Sequence, residues 1–215
     1  MEKDLSNYRK SYDKQELLEN NCPKKPMELF KDWFLKADKI DAIEETNAMT
    51  ISTIGSDGFP KSRVVLLKKY TEEGLIFYTN YNSEKAKAID ENNNICISFY
   101  WPALEQQIII KGIAEKLSNE LSDNYFNSRP NGSKLGAWAS PQSSVVSSKK
   151  ELTDRLISIE NKFQGVKIPR PEHWGGYLIK PLSVEFWQGR PNRMHDRILY
   201  TLLEDLSWKI QRLAP

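Results

Sequence analysis

The stretch Ala48–Tyr70, AMTISTIGSDGFPKSRVVLLKKY, decides the fold of this chain. Its two halves are rich in Val, Ile, Leu and Thr, which favour β-strands. Between them lies GSDGFP, whose glycines and proline are typical of a turn. Strands that a short turn joins pair in the antiparallel direction. The stretch therefore predicts a strand, a turn and a second strand at the start of an antiparallel sheet.

Further strands follow on the C-terminal side of this stretch. They are predicted for the segments GLIFYTN, NICISFYW, EQQIIIKGIAEKL, WGGYLIKPLSVEFWQG, RILYTLLED and WKIQRLAP. Helical spacing of apolar residues predicts helices in PMELFKDWFLKADKI, SEKAKAIDENN, SNELSDNYFNS, SKLGAWAS and SKKELTDRLISIENKF. Ser83 is a plausible N-cap of the second helix, and Pro130 is expected to end the third. Most strands follow one another directly, so the fold class is mainly β with peripheral helices: an antiparallel, Greek-key-like sheet or small barrel.

Composition limits the function classes. The chain has 215 residues, and 39% hydrophobic content is typical of a globular protein. Residues 1–26 are polar and predict a short helix or flexible arm, and residues 27–215 predict the main domain. The 31 basic and 29 acidic residues give a net charge of +2, so no global field attracts nucleic acid and any anion site is local.

Neither a metal site nor a membrane segment is expected. No Cys/His spacing is typical of a metal site, and Cys22 and Cys96 are expected to be reduced thiols, with a single disulfide as the alternative. The first 21 residues are too charged for a signal peptide, and no apolar run approaches the roughly 20 residues of a membrane helix. We therefore expect a cytoplasmic protein without a membrane or nucleic-acid partner.

Two candidate anion sites lie in the first half of the chain. Arg63 and Lys68 flank an apolar strand, and positions five apart lie on opposite faces of a regular strand. The two cations either serve different ligands or are brought together by a bulge, unless they are only the solvated ends of a buried strand. Ser83 and Lys85 open a helix whose N-terminus suits phosphate, or they form an ordinary helix start.

Two more candidates lie in the second half. Tyr125 and Arg129 share a helical face, and Ser133 is a possible N-cap after Pro130, so the three could clamp one phosphate. The alternative is a surface arginine next to a routine cap.

The fourth candidate is EFWQGRPNRMHDR, Glu185–Arg197. If its last part is an extended strand, Arg193, His195 and Arg197 point the same way. An ion-pair lattice with Asp196 and Glu185 is the alternative. Together the four candidates offer more anion-binding groups than one phosphate requires, which would suit two phosphorylated ligands in one cleft.

Seven motifs, spread from about residue 5 to the C-terminus, carry a family resemblance. They are RVVLLK, FYTNYNS, YFNSRP, GAWASPQSS, EFWQG, HDR and WKIQRLAP. Together they closely resemble the pyridoxamine/pyridoxine 5′-phosphate oxidase family. The resemblance implies a homodimer of FMN-binding split β-barrels with two active sites at the subunit interface, and a C-terminal region that takes part in dimerisation. It also implies oxidation of pyridoxine or pyridoxamine 5′-phosphate to pyridoxal 5′-phosphate by O2, releasing H2O2 and, from the amine, ammonia, in vitamin B6 biosynthesis and salvage.

The resemblance also implies roles for individual residues. FMN would be bound by Arg63, Val64, Val65, Leu66, Leu67, Lys68, Tyr78, Thr79, Lys85, Gln107, Gln142, Ser143, Trp187 and Arg197. The substrate would be bound by Arg9, Tyr12, Lys68, Tyr125, Arg129, Ser133, Arg193 and His195. Arg9 and Tyr12 would lie on an arm, within residues 1–26, that acts as a lid over the pocket. Arg193 and His195 would be the catalytic pair, with Arg193 covering the substrate ring.

One residue departs from the family pattern. Glu84 stands where the family usually has an arginine, and a carboxylate repels a phosphate. Glu84 therefore either points away from the phosphate or pairs with a neighbouring cation.

Three other classes of protein compete with this interpretation. A flavin oxidase of phenazine biosynthesis would act on substrates without a phosphate. A non-catalytic flavin or pyridoxal phosphate binding protein would not need the cationic face at Arg193 and His195. A purely structural β-barrel would leave the clustered cations unexplained.

Overall fold

The computed structural model describes residues 2–215, and the α-helices and strands of this part alternate along the chain in irregular order. The strands are β1 Ala48–Ile54, β2 Pro60–Leu66, β3 Lys69–Tyr70, β4 Leu75–Asn80, β5 Asn94–Trp101, β6 Gln106–Lys116, β7 Trp174–Gln188, β8 Asp196–Leu202 and β9 Trp208–Arg212. The α-helices are α1 Pro26–Ala37, α2 Glu84–Glu91, α3 Asn119–Ser128, α4 Asn131–Ala139 and α5 Lys149–Lys162. Two single 3₁₀ turns lie at Glu19–Asn21 and Pro191–Arg193.

The strands form an antiparallel sheet. Its order is β2-β1-β5-β6-β7-β4-β3, with β8 beside β7 and β9 beside β8. In the pairing of β4 with β7, Tyr78 lies opposite Gly176, and in that of β7 with β8, Trp187 lies opposite Arg197. The prediction of a mainly β, antiparallel fold with peripheral helices is confirmed.

The chain divides into two compact units. The first contains the chain up to Thr50 together with Cys96–Lys111 and Pro181–Pro215. The second contains Ile51–Ile95 and Gly112–Lys180. The division at residue 26 that the sequence suggests stays a prediction.

Helix α1 supplies the aromatic core of the first unit. It begins with Pro26 at its first position, where the missing N–H of proline costs no hydrogen bond. Phe30 packs edge-on against Phe99, with ring centroids 5.3 Å apart, and Trp33 packs against Phe186 at 5.2 Å. These contacts bury the apolar face that the helical spacing of the sequence predicted.

Two adjacent glycines shape the core of the second unit. A Cβ on Gly175 would lie 2.1 Å from the hydroxyl of Tyr81, and one on Gly176 would lie 2.8 Å from the ring of Tyr78. Any larger residue would push these tyrosines away from β7. The glycines therefore allow Tyr78 to lie flat against the start of β7, where the candidate site is formed.

Several local predictions are confirmed. The Ser83 hydroxyl caps α2 by accepting a hydrogen bond from the N–H of Ala86, and α3 ends just before Pro130. Glu84 pairs with a cation, since its Oε1 lies 2.5 Å from Nζ of Lys61. Cys22 and Cys96 are both free thiols.

Two local predictions are wrong. The segment before Asp196 is not an extended strand, because Asn192 and Arg193 have φ angles of 56° and 61° and form a 3₁₀ turn. The shared face of Arg193, His195 and Arg197 therefore cannot be derived from strand alternation. Ser133 is not an N-cap, because α4 begins at Asn131 and places Ser133 inside its first turn.

Residues 2–215 contain neither a candidate membrane helix nor a candidate metal cluster. No helix in this range is long and apolar enough to cross a membrane. Nor does this range hold a group of three or more His, Cys, Asp and Glu side chains that could bind a metal ion.

Candidate active site

A cavity of about 680 Å³ opens within the second unit, a size typical of small-molecule sites. Most of the predicted cofactor and substrate residues of this unit line it. They are Arg63, Val64, Val65, Leu66, Lys68, Tyr78, Thr79, Lys85, Tyr125, Arg129, Ser133 and Gln142. Leu67 does not line the cavity and is buried, and Ser143 lines a neighbouring cavity instead.

Arg129 is the most informative side chain of the cavity. It follows α3 directly, and its guanidinium lies 4.6 Å from the centre of the Trp174 ring. Its Nη1 is buried without a hydrogen-bond acceptor, and it has no carboxylate partner among residues 2–215. Burial lowers the pKa of Arg129, but a guanidinium stays charged at neutral pH. A half-buried, unpaired guanidinium whose Nη1 is buried in a cavity indicates a site for an anionic ligand.

Three aromatic rings form a stack beside this guanidinium. The Tyr78 and Tyr125 rings are 3.9 Å apart and nearly parallel, and Tyr78 also stacks on Trp174 at 5.4 Å. Burial raises the pKa of both tyrosines, which stay protonated and can donate to an anion. Helix α3 places Tyr125 one turn before Arg129, so phenol and guanidinium reach the same end of the cavity.

Lys85 forms a second cationic position in the same cavity. Its Nζ donates to Thr79 Oγ1 at 3.3 Å and to Gln142 Oε1 at 3.1 Å, and both acceptors are uncharged. Burial, reinforced by the positive charge of Arg63, lowers the pKa of Lys85. A carboxylate within hydrogen-bonding distance would have the opposite effect. Glu84 offsets the lowering of this pKa only in part, so the position is rich in donors and has no carboxylate bonded to Lys85.

Arg63 and Lys68 line the same cavity, which resolves the alternatives that the sequence left open. β2 ends at Leu66, so the alternation of a regular strand no longer governs Lys68. The N–H of Lys68 donates to Ile76 O at 2.8 Å, and Arg63 Nη1 donates to Thr53 Oγ1 at 2.8 Å. Arg63 and Lys68 reach the same cavity because β2 ends between them, and not because the strand contains a bulge.

The environment of Glu84 explains how a carboxylate is tolerated here. Lys61 Nζ lies 2.5 Å from Glu84 Oε1 and 3.3 Å from an oxygen of Asp57. The hydrogen bond from Lys61 holds the pKa of Glu84 below its ordinary value. Glu84, Lys61 and Ser143 line a cavity of about 370 Å³ with Arg63 and Lys85. Ser143 has a φ of 69°, a strained value of the kind that often occurs at functional sites.

The remaining predicted residues belong to the first unit. Trp187 and His195 lie with their ring centroids 4.7 Å apart, and Tyr12 is edge-on to both, at 5.7 and 5.8 Å. Gln107 is half-buried on β6, and Arg9 is exposed on the arm, where its Nε donates to Ser6 O.

His195 has a defined tautomer. Its Nδ1 accepts a hydrogen bond of 3.1 Å from the N–H of Arg190, so the neutral ring carries its proton on Nε2. Burial, with a further contribution from Arg193, lowers the pKa of His195, so the ring is neutral at pH 7. His195 can therefore donate a hydrogen bond from Nε2 to a ligand.

The arginines of this segment differ in their partners. Arg197 Nε donates to Glu185 Oε1 at 2.8 Å, and Arg190 Nε lies 3.6 Å from Asp196 Oδ2. The ion-pair alternative is therefore confirmed for Arg190 and Arg197. Arg193 makes no ion pair or hydrogen bond with the part of the chain that the structure describes, and it is exposed. Within this segment, Arg193 is therefore the arginine that has no ion pair or hydrogen bond with residues 2–215.

Trp174 is the most informative of the cavity residues that sequence reasoning missed; the others are Asn80, Gly136, Ala137 and Ser140. It begins β7 and is only 6% exposed, yet it lines the cavity and supports Arg129. The dipeptide His173–Trp174 suggests only a loop entering a strand. The stacking partners of Trp174 come from α3 and β4, and no local pattern reveals them.

Replacing Trp174 by leucine is expected to raise KM for an anionic ligand of this cavity about thirtyfold, because a desolvated cation–π contact contributes roughly 2 kcal/mol. The value of kcat should change less than about threefold, since the reacting groups stay in place. Trp174→Phe should recover most of the affinity. Steady-state kinetics and thermal unfolding of both variants test this. If kcat fell in both variants by as much as KM is expected to rise, the role of Trp174 in ligand binding would be contradicted.

Solved structures with the same architecture define the class of this protein. The chain is similar to PhzG from Burkholderia lata, solved in complex with tetrahydrophenazine-1-carboxylic acid, with a TM-score of 0.86 and 29% identity over 96% of this chain and 100% of that one. It is also similar to an FMN-binding protein from Nostoc punctiforme described as pyridoxamine 5′-phosphate oxidase-related. That match has a TM-score of 0.71 and 15% identity, and it covers 88% and 97% of the two chains. The fold is the split β-barrel of FMN-binding proteins.

Sequence comparisons define the family within this class. Residues 37–162 match the family model described as pyridoxamine 5′-phosphate oxidase. Residues 174–215 match the model described as the pyridoxine 5′-phosphate oxidase C-terminal dimerisation region. Pyridoxine/pyridoxamine 5′-phosphate oxidase of Flavobacterium johnsoniae is 63% identical, over 98% of this chain and 99% of its own, and that of Christiangramia forsetii is 56% identical over the full length of both. The chain belongs to the pyridoxamine 5′-phosphate oxidase family.

Proposed function

We propose that this protein is an FMN-dependent oxidase that converts pyridoxine 5′-phosphate or pyridoxamine 5′-phosphate into pyridoxal 5′-phosphate, in the formation and salvage of vitamin B6. A relative that is 63% identical over nearly the whole length of both chains is described as a pyridoxine/pyridoxamine 5′-phosphate oxidase. The observation that carries the proposal is the half-buried guanidinium of Arg129, which lies over Trp174 and whose buried Nη1 has no hydrogen-bond acceptor among residues 2–215. A substrate phosphate would supply the missing acceptor.

The donor set of the second unit fits FMN as well as a phosphorylated substrate. Hydrogen-bond donors for the phosphate of FMN are offered by Lys85, Arg63 and Thr79. Lys85 and Arg63 bond uncharged acceptors rather than carboxylates, so their positive charges are available to a phosphate. Tyr125, Arg129, Ser133 and Lys68 line the same cavity and suit the phosphate of the substrate. Bound FMN supplies the two-electron redox chemistry, and the protein binds, orients and shields the reactants.

The residues of the chain then have distinct roles. Arg129, Tyr125 and Lys68 bind the phosphate, far from the carbon that reacts, and this binding energy orients the substrate ring. His195 donates from Nε2 to a polar substituent of the ring. Arg193, which has no ion pair or hydrogen bond within residues 2–215, covers the ring. Gln107 and Arg197 would offer hydrogen-bond donors to the FMN ring system, and Glu185 fixes the guanidinium of Arg197.

The proposed enzyme uses molecular oxygen as electron acceptor and works as a homodimer in the cytoplasm. Molecular oxygen accepts the electrons and leaves as H2O2, and the amine substrate also releases ammonia. The protein acts as a cytoplasmic homodimer with active sites at the subunit interface, which the match of residues 174–215 to a dimerisation region supports. Neither nucleic acid nor a membrane is a partner, in keeping with a net charge of +2.

A phenazine oxidase is the second candidate, because the solved structure of PhzG resembles this chain with a TM-score of 0.86. The ligand in that structure is a tetrahydrophenazine carboxylic acid, which carries no phosphate. The unpaired Arg129 beside Tyr125 and Lys68 favours the phosphorylated substrate.

A coupled assay tests the proposed function. Purified protein with FMN is mixed with pyridoxine 5′-phosphate in air, and pyridoxal 5′-phosphate and H2O2 are measured together. We expect one H2O2 for each aldehyde formed, and a kcat/KM for unphosphorylated pyridoxine that is at least about a thousandfold lower, since two or more charge-assisted bonds are lost. Equal rates with and without the phosphate would refute the assignment of the substrate.

The Lys61–Glu84 pair leads to a prediction about FMN affinity. Lys61→Met should weaken FMN binding by about threefold to fivefold, because Glu84 loses the cation that neutralises it and repels the phosphate. The double variant Lys61→Met/Glu84→Gln should bind FMN at least as tightly as the wild type. Fluorescence titration of the apoprotein with FMN measures both affinities.

Lys150→Met is the matched control, since it breaks an exposed pair with Asp154 on α5. It should leave the FMN affinity unchanged. If Lys61→Met alone had no effect, or if the double variant were as weak as the single one, Glu84 would have no influence on the phosphate position.

A further inference from the structure

We propose that Glu105 is a positioning residue that holds the N-terminal arm in place and thereby sets the position of Tyr12 beside Trp187 and His195. The carboxylate of Glu105 accepts hydrogen bonds from the backbone of the arm, and its own backbone is bonded to the end of β7. The expected effect on KM rests on the proposed function. The contact between Glu105 and the arm does not depend on it.

The burial of Glu105 requires an explanation. Its side chain is only 1% exposed, and burying a carboxylate costs several kcal/mol unless hydrogen bonds compensate. Oε2 accepts from the N–H of Asp13 at 3.0 Å and from that of Lys14 at 3.2 Å. Oε1 has no hydrogen-bond partner, and Nζ of the exposed Lys10 lies 3.4 Å away. Backbone groups of the arm thus provide the main compensation for this buried charge.

The backbone of Glu105 fixes the direction of the side chain. Glu105 is the last residue before β6 and has a φ of 58°, which is unfavourable for a residue other than glycine. Its N–H donates to Pro102 O at 3.2 Å, and its carbonyl accepts from Gly189 N at 2.8 Å and from Gln188 Nε2 at 3.2 Å. Glycine would relieve the strain, so a glutamate at this position indicates a role for the carboxylate.

Glu105 connects the arm to the segment that carries His195. Tyr12 immediately precedes the two N–H groups that Glu105 binds, and a Cβ on Gly189 would lie 2.8 Å from Tyr12 and 3.1 Å from Glu105. The Tyr12 ring then lies edge-on to Trp187 at 5.7 Å and to His195 at 5.8 Å. The placement of Tyr12 therefore depends on a backbone contact that Glu105 makes.

Other contacts hold the arm further along the chain. Asp196 Oδ2 accepts from the N–H of Leu17 at 3.0 Å, Arg190 donates to Gln15 O at 2.9 Å, and Arg212 donates to Leu17 O at 2.8 Å. These contacts hold residues 15 and 17. Lys14 Nζ also donates to Ala103 O at 2.5 Å, but the backbone N–H groups of residues 13 and 14 are bound by Glu105. Loss of the Glu105 carboxylate should therefore free the part of the arm that carries Tyr12 without detaching the rest.

Two variants of Glu105 distinguish the effect of its carboxylate from the effect of the turn in which it lies. Glu105→Gly removes the side chain and suits the positive φ, so the turn before β6 is retained. Glu105→Gln keeps an oxygen that can accept from the arm and serves as the conservative rescue. The same two changes at Glu44, an exposed residue of the first unit, are the matched controls.

Hydrogen exchange and kinetics are measured on the full-length protein with FMN. In Glu105→Gly, we expect the amides of Asp13 and Lys14 to exchange at least about tenfold faster, as for the loss of a charge-assisted hydrogen bond, while the amides of β8 stay protected. KM for pyridoxine 5′-phosphate should rise by about tenfold, and kcat should change less than about threefold. Glu105→Gln should restore most of both values, and the Glu44 variants should match the wild type.

Unchanged exchange at residues 13 and 14 in Glu105→Gly would overturn the anchoring role. Faster exchange with an unchanged KM would overturn the positioning role of Glu105 in the reaction. If the wild-type protein itself failed to oxidise pyridoxine 5′-phosphate, the proposed function would fail, and the exchange result alone would decide whether Glu105 anchors the arm.

Discussion

Replacing Arg129 by methionine is expected to lower kcat/KM for pyridoxine 5′-phosphate by about two to three orders of magnitude, since truncating one partner of a buried charge pair costs 2–5 kcal/mol or more. The guanidinium is stacked on Trp174 and has no protein acceptor for its Nη1, so it is fixed in place for the phosphate before the substrate binds. Most of the loss should appear in KM, because the phosphate lies far from the reacting carbon. Steady-state kinetics over a wide range of substrate concentrations measure this effect.

Two further variants make this test specific. Arg155→Met removes an exposed arginine that pairs with Glu151 on α5 and should behave as the wild type. Arg129→Lys keeps the charge but loses the planar fork and the stacking, and should recover only part of the activity. If Arg129→Met kept the wild-type KM while it still discriminated against unphosphorylated pyridoxine, the phosphate would bind elsewhere.

The second large effect is expected at Arg193. Arg193→Ala should lower kcat about a hundredfold while FMN stays bound, because a misplaced substrate ring loses roughly this factor in rate. Arg193 is exposed and has no ion pair or hydrogen bond within residues 2–215, so its charge is free for the substrate. Turnover per bound flavin is measured from the visible absorbance and the rate of aldehyde formation. Loss of flavin with unchanged turnover per bound flavin would contradict this role.

The same variant should change the titration of His195. Arg193 is one of the groups that lower the pKa of His195, after burial, so its removal should raise that pKa. An NMR titration of the imidazole should therefore show the ring gaining its proton at a higher pH in Arg193→Ala than in the wild type. Met194→Ala, which changes the exposed neighbour, is the control and should leave both kcat and the pKa unchanged. An unchanged pKa in Arg193→Ala would mean that the two side chains lie further apart in solution.

Strands and helices were predictable because burial follows the apolar pattern. β1 alternates between buried and partly exposed residues, as the sequence AMTISTI predicts, and Ser83 caps α2. The turn at Pro191–Arg193 was not predictable, because left-handed φ angles at Asn192 and Arg193 have no periodic signal. Such a conformation is set by tertiary contacts rather than by local propensity.

The chemistry of the site was predictable in part. The charged residues of the cavity could be proposed from their positions, because Arg63 and Lys68 flank an apolar strand and Lys85 and Arg129 lie at helix ends. Trp174 and Glu105 do not stand out. An aromatic residue at the start of a strand and an acid in a turn are common, and their roles depend on partners from distant segments. The assignment of single residues to FMN stays a prediction, because family membership defines the class of reaction and not each contact.

The visible spectrum of the purified protein, recorded without oxygen before and after addition of pyridoxine 5′-phosphate, tests the central claim most directly. We predict a flavin spectrum that loses its visible absorbance when the substrate is added and regains it in air, with formation of pyridoxal 5′-phosphate. This result would establish the bound cofactor, the substrate and the role of oxygen in one experiment. A flavin spectrum that does not respond to the substrate, or a colourless protein that fails to bind added FMN, would contradict the account.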